Sequence, residues 1–307
     1  MIAILTALAP LFIISAIGYL LVRMEFGGEA MWHALDHITF YVLFPALLAK
    51  TLMRADLASV PATDFVLVSI ASITIMAASI VGGYLALGRP LPGPTFTSFF
   101  QGVLRFQSTI AVAISAALFG ERGLTFAALS VASLVPVVQF YTVLVLLIFG
   151  RSGEEVRFFP IVKRLALNPF TLACLLGFVL NLTGVPNFVY ETFSVLGSAS
   201  IALTLLAVGA GLNLRTAHAA RGLVAFNMAV RLILMPLLVF LLSWLVGLSG
   251  LARTIAVISA AVPTAATAYT MARKMGGDAE LMAQLTTFQS IASAFTLPVF
   301  IYLAQSL

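Results

Sequence analysis

The chain has 307 residues, 62% of them hydrophobic and only 9% charged, with a mean hydropathy of +1.12. A soluble domain carries roughly 25% charged residues, so 16 basic and 11 acidic side chains cannot coat a globular surface of this size, which excludes a cytosolic enzyme, a disordered regulator and a secreted disulfide scaffold. The net charge of +5 comes from basic residues scattered singly between apolar runs, a pattern of membrane-topology control rather than nucleic-acid binding.

A hydrocarbon core about 30 Å thick needs roughly 20 helical residues per crossing. Only helices or closed barrels satisfy the backbone there, and these runs are too long for barrel strands of about 10 residues. Ten apolar segments read as helices: 2–22, 33–53, 64–87, 95–119, 124–149, 168–184, 188–214, 221–247, 252–274 and 280–304. The first begins at Ile2 with no basic stretch before it, so it reads as a span rather than a cleavable signal. Punctuation separates the segments at Gly27-Gly28, 54–61, Arg89-Pro90-Leu91-Pro92-Gly93-Pro94, 120–123, 184–187 and Gly276-Gly277.

The polar stretch 150–164 carries Arg151, Glu154, Glu155, Arg157, Lys163 and Arg164. It divides the chain into residues 1–149, a cytoplasmic linker 150–167, and residues 168–307, with five spans in each half. With the N-terminus outside, the cytoplasmic loops hold ten basic residues and the outer side four (Lys50, Arg54, Arg122 and Arg253), while Arg105 and Arg231 remain inside spans. That bias predicts a multi-pass protein of the cell (inner) membrane with both termini on the periplasmic side.

The halves resemble each other weakly. Pro10 and Gly18 are matched by Pro169 and Gly177 at an offset of 159, and Gln107-Ser108-Thr109 by Pro263-Thr264-Ala265 at 156. Arg54 and Arg215 are 161 apart. Because five is odd, a repeat would enter the membrane from the opposite side, giving the inverted topology of many secondary transporters, with a site at the midplane between broken helices.

The fourth segment carries Arg105, Phe106, Gln107, Ser108 and Thr109. An arginine at a span centre costs about 2.5–3.5 kcal/mol on insertion scales, so a helix break here, with Arg105 and freed backbone N–H groups facing an anion, competes with simple snorkelling. In the ninth segment Pro263, flanked by Val262, Thr264 and Thr267, removes a donor and frees a carbonyl one turn earlier; the plainer alternative is a proline kink. Arg231 in the eighth span reads equally well as a carbonyl-paired anchor or a ligand contact. Pro45 reads as a kink in the scaffold, and Gln289 as a cavity-lining or interhelical group. Asn181 and Asn213 stand near span ends.

No Asp or Glu lies in mid-span, so a carboxylate proton relay and an aspartyl protease are both unsupported. Histidines 33, 37 and 218 sit near span ends, the single Cys174 allows no disulfide within one chain, and there is no Walker motif. No metal, cofactor or nucleic-acid partner is expected.

Four motifs occur in a telling order: Phe44-Pro45-Ala46-Leu47-Leu48, Ala210-Gly211-Leu212-Asn213-Leu214, Arg231-Leu232-Ile233-Leu234-Met235-Pro236 and Ala260-Ala261-Val262-Pro263-Thr264-Ala265. With them the chain resembles the auxin efflux carrier family, which includes bacterial malonate and malate permeases and the plant PIN carriers. The resemblance implies an all-α polytopic fold of ten transmembrane helices in two inverted five-helix repeats, like NhaA and the bile-acid symporters. It implies a scaffold from spans 1, 2, 6 and 7, a transport domain from spans 3–5 and 8–10, and a homodimer through the scaffold. Spans 4 and 9 would cross as broken helices at Gln107-Ser108 and Val262-Pro263. Relatives commonly carry proline or asparagine near the first crossover, where this chain has Gln107 beside Arg105.

The expected function is therefore secondary active transport of a small organic anion, a carboxylate such as malonate or an auxin-like acid, by an elevator-type mechanism. The alternatives are a sodium-coupled symporter of the bile-acid type and a non-transporting sensor or channel on the same fold. Substrate, direction and coupling ion stay open.

Overall fold

The computed structural model describes residues 2–55, 61–150, 167–212 and 221–306; among them there are helices and no strand. In chain order the α-helices are α1 (Ile2–Arg23), α2 (Gly28–Ile38), α3 (Phe44–Met53), α4 (Ala62–Ala86), α5 (Gly93–Leu104), α6 (Ser108–Phe149), α7 (Pro169–Thr183), α8 (Asn187–Ala210), α9 (Arg221–Ala229), α10 (Met235–Val246), α11 (Gly250–Ala261), α12 (Thr267–Lys274) and α13 (Ala279–Ser306). The charged residues of the central linker, together with Asn213, Arg215 and His218, lie outside the described residues.

Among the described residues, seven helical stretches are long and apolar enough to cross a membrane: Ile4–Arg23, Gly28–Met53, Ala62–Ala86, Gly93–Phe149, Asn187–Ala210, Arg221–Val246 and Ala279–Ser306. Two shorter apolar helices, α7 and α11, accompany them. The protein is thus an all-helical, multi-pass membrane protein. Large apolar side chains such as Ile13, Leu175, Phe188, Trp244 and Phe295 point outward, as a lipid surround permits.

Within the described residues all ten expected segments fall largely on helix, with differences at their ends and at two interruptions; residues 213 and 214 of the seventh lie outside them. The second begins at Gly28 rather than 33, because Glu29, His33, Asp36 and His37 make α2 polar and no residue of it is buried. The 57-residue stretch Gly93–Phe149 would be roughly 86 Å long if straight, nearly three hydrocarbon thicknesses. It is interrupted at residues 105–107 and redirected at Gly120, whose φ of 58° and ψ of −144° suit a residue without Cβ. The ninth segment is split into α11 and α12.

Two five-residue π segments, Thr39–Leu43 and Val230–Leu234, link α2 to α3 and α9 to α10. Each leads into a helix with proline at its second position, Pro45 or Pro236. Proline cannot donate and its ring crowds the carbonyl four residues back. One wider turn relieves that crowding: Phe44 N–H donates to Thr39 O and Met235 N–H to Val230 O, both five residues back.

Packing falls into two groups. Helix α1 lies on α8, while α3 lies on α7 and α8; Asn181 Nδ2 donates to the carbonyls of Met53 and Ala55 at the end of α3. In the other group α11 is wrapped by α6, α10 and α13, α4 packs on α6 and α10, and α5 packs on α6.

Candidate functional site

The site is built from two helix interruptions. Helix α5 stops at Leu104 because Arg105 adopts extended backbone (φ −71°, ψ 137°), and helix resumes at Ser108. Neither proline nor glycine lies between 103 and 110, so no local breaker dictates this stop. Helix α11 stops at Ala261, with Val262 extended (φ −69°, ψ 153°), and α12 begins at Thr267. Here the cause is local: Pro263 has no N–H to give to the Ser259 carbonyl.

The two interruptions touch. Gln107 N–H donates to Pro263 O at 2.9 Å, and Ala266 N–H donates to Gln107 Oε1 at 3.3 Å. The first break is therefore held by long-range contacts to the second.

Each helix end leaves its last carbonyls without intrahelical donors, and side chains from α9, the adjacent π segment and α13 supply them. Arg231 is fully buried. It donates to Val262 O through Nε (3.0 Å) and Nη2 (2.8 Å), to Val103 O through Nη1 (3.1 Å) and to Ser259 O through Nη2 (3.5 Å). One guanidinium thus serves the carbonyl ends of both α5 and α11, including the Ser259 carbonyl that Pro263 deprives of a donor. Gln289, also fully buried, donates to Gly102 O (3.0 Å) and Asn227 Oδ1 (2.7 Å) and accepts from Thr264 N–H (2.8 Å). Asn227 Nδ2 donates to Phe99 O at 2.7 Å, and the Thr264 hydroxyl reaches Gln101 O at 3.5 Å.

Arg105 stands on the other side of the break. Its Nη1 donates to Gln139 Oε1 (3.0 Å) and contacts Met271 Sδ (2.9 Å), and its Nη2 donates to Thr267 Oγ1 (3.0 Å). Its Nε has no partner, and neither does the Thr109 hydroxyl. Every partner of both arginines is neutral. The ion pair found among the described residues, Lys50–Glu121 at 3.2 Å, belongs to other elements. The Arg105 guanidinium, which meets neither a carboxylate nor a helix-end carbonyl, gives this region a positive potential in a low-dielectric interior.

The arrangement has a front and a back. Arg105, Gln107, Thr109 and Thr267 are partly accessible, and Ala266, Tyr269 and Thr270 are exposed beside them. Phe106, Ser108, Arg231, Val262, Pro263, Thr264 and Gln289 are buried behind. A void bordered by Arg231, Phe106 and Ser259 is scarcely large enough for one water. Pro45 is not among the side chains that meet here; it belongs to α3, which packs on α7 and α8.

Of the residues singled out in the sequence, the structure brings the two interrupted segments, Arg231 and Gln289 together; Pro45 and Asn181 belong to the α3–α7 contact, and Asn213 lies outside the described residues. The structure adds Asn227, Gln139 and Met271. Asn227 had one legible signal, its position four residues before Arg231 in an apolar span. No group of three or more His, Cys, Asp or Glu able to hold a metal occurs among the described residues.

A family model described as "Membrane transport protein" matches residues 3–301. The chain is 27% identical over 286 residues to an "Uncharacterized transporter" of Methanothermobacter thermautotrophicus, covering 92% of each protein. It is 25% identical to a "Putative malonate transporter" of Rhizobium meliloti, covering 97% of this chain and 94% of that one.

Proposed function

The chain belongs to the membrane transport protein family, that of the auxin efflux carriers, and on that premise we propose that it is a secondary transporter of small organic anions working by alternating access. The observation that carries the anion reading is Arg105, a half-buried intramembrane guanidinium with neutral partners only and a buried Nε without a partner, beside two touching helix breaks. The backbone ends of α6 and α12 that open beside it add the partial positive charge of helix N-termini. A carboxylate would sit against Arg105 with Gln107, Thr109 and Thr267 as hydrogen-bond partners, while Arg231, Gln289 and Thr264 hold the breaks in shape from behind. The name of the Rhizobium meliloti relative makes malonate the first substrate to try.

In this reading the chain is two inverted five-helix repeats whose broken members cross. Two packing contacts support it. A Cβ on Gly18 of α1 would run into the backbone of Leu206 of α8, and one on Gly177 of α7 into the backbone of Ala49 of α3. Adding 159 to Gly18 gives Gly177 and adding 159 to Ala49 gives Val208, two residues from Leu206, so exchanging the halves turns one contact into the other to within a helical turn. A twofold axis between repeats requires such reciprocity. Residues 2–53 and 169–210 form the scaffold, and residues 62–149 and 221–306 the unit that moves, with both termini outside the cell membrane.

Reconstituted into proteoliposomes, the protein should take up labelled malonate faster when unlabelled malonate is inside. A pore or a sensor shows no such trans-stimulation. Arg105→Ala should abolish that counterflow while the protein remains folded; undiminished uptake by the variant would remove Arg105 from the site.

A further inference from the structure

Three carbonyl oxygens, of Val103, Ser259 and Val262, at the C-terminal ends of two helices, surround one guanidinium inside the membrane domain, Val262 on its Nε/Nη2 edge and Val103 on Nη1. Hard metal cations are held by such oxygen clusters, and unwound backbone with half-helix C-termini supplies them in cation-coupled carriers. Here the helix-end carbonyls are taken instead by the guanidinium of Arg231, fully buried and without a carboxylate among its contacts. The charges match. Each helix C-terminus carries roughly half a negative charge, two ends together about one, and arginine supplies one positive charge that cannot be removed by deprotonation. Beside it there is scarcely room for a water, so a second cation has neither space nor favourable charge.

We infer that Arg231 is a built-in cation that joins the two helix ends, a task metal ions perform in cation-coupled carriers, so that the site assembles and binds its anion without sodium or potassium. Arg231 is thus a positioning residue: it acts on the ligand through the two helix ends it joins. The inference deepens the anion-carrier reading and relies on it for the substrate alone.

The test uses the full-length protein and needs no substrate in its first arm. Thermal unfolding is followed in sodium, in potassium and in N-methyl-D-glucamine. The wild-type midpoint should be the same in all three, and a rise specific to sodium or potassium would overturn the inference. Arg231→Ala should unfold earlier and regain stability on addition of low-millimolar guanidinium or of sodium, because an ion that binds only the folded form stabilises it by mass action. A variant with the wild-type midpoint, or one that neither ion rescues, sinks the idea. Where Arg231→Ala cannot be obtained folded, Arg231→Lys replaces it; this variant should fold and stay indifferent to alkali cations, and a sodium requirement in it also counts against the inference.

The second arm measures malonate counterflow. The wild-type rate should be equal with and without alkali cations, and a loss of about tenfold on their removal, the scale of one hydrogen bond to a charged group, contradicts the proposal. Absence of counterflow in every buffer counts against the anion-carrier reading instead, and the unfolding arm then decides the cation question.

Discussion

Arg105 and Arg231 each bring a guanidinium into the membrane interior, at about 2.5–3.5 kcal/mol apiece on insertion scales, and the chain offsets the two differently. Arg231 spends its donors on three backbone carbonyls; Arg105 keeps an Nε in hand. Behind both, Gln289 ties Gly102, Thr264 and Asn227 together in a dry setting. Gln289→Leu removes one side chain and strands three buried polar groups, at about 1–3 kcal/mol for each that finds no new partner, so it should lower unfolding stability by at least that amount. Thermal denaturation in detergent reads this, and a midpoint equal to wild type would show that the network is not needed. At this scale the sequence was informative wherever a polar group interrupts an apolar run, as at Arg105, Gln107 and Pro263. It was silent on pairing: Arg231 meets Val103, 128 residues away, and Asn227 meets Phe99 at the same separation, and no periodicity encodes either contact.

Helix lengths followed from hydropathy because apolar runs and membrane thickness set the same scale. What hydropathy missed has physical causes. The polar first turns of α2 carry no apolar signal, and the stop after Leu104 is enforced by the second break rather than by a breaker of its own. The π segments were also hidden, since a wide turn is the response to a proline and not a composition. Helix-on-helix contact is closest where glycine admits it. A Cβ on Gly177 would lie 2.6 Å from Ala49 O and 2.9 Å from Leu52 Cβ. Gly177→Val should therefore push α7 off α3 and cost about 1–3 kcal/mol, seen as a lower yield of monodisperse protein and an earlier melt. Gly82→Val, at a position with open space, is the control and should be near neutral.

Taken whole, the molecule brings both helix breaks, Arg105, Arg231 and Gln289 into a single packed body around α11, while α1, α3, α7 and α8 pack chiefly among themselves. The breaks are bonded to one another, so any displacement of one carries the other. One member of the second group has a consequence for the surrounding lipid. Helix α7 is bounded by Asn168, whose side chain accepts from Phe170 N–H, and by Gly184 at φ 88°, leaving 15 residues. Its outward face is Leu172, Leu175, Leu176, Phe178, Val179 and Leu182. At 1.5 Å per residue it reaches roughly 22 Å, about 8 Å short of an average hydrocarbon core. In the proposed ten-span arrangement α7 crosses the bilayer, and the leaflets would then pinch inward along this edge, at a cost on the order of a few kcal/mol. Reconstitution in phosphatidylcholines of graded acyl length should show thermal stability highest with tails shorter than those of ordinary bilayers, and a flat profile would mean that α7 is shielded from lipid. Where this helix lies, the thickness of the host membrane becomes a setting of the protein.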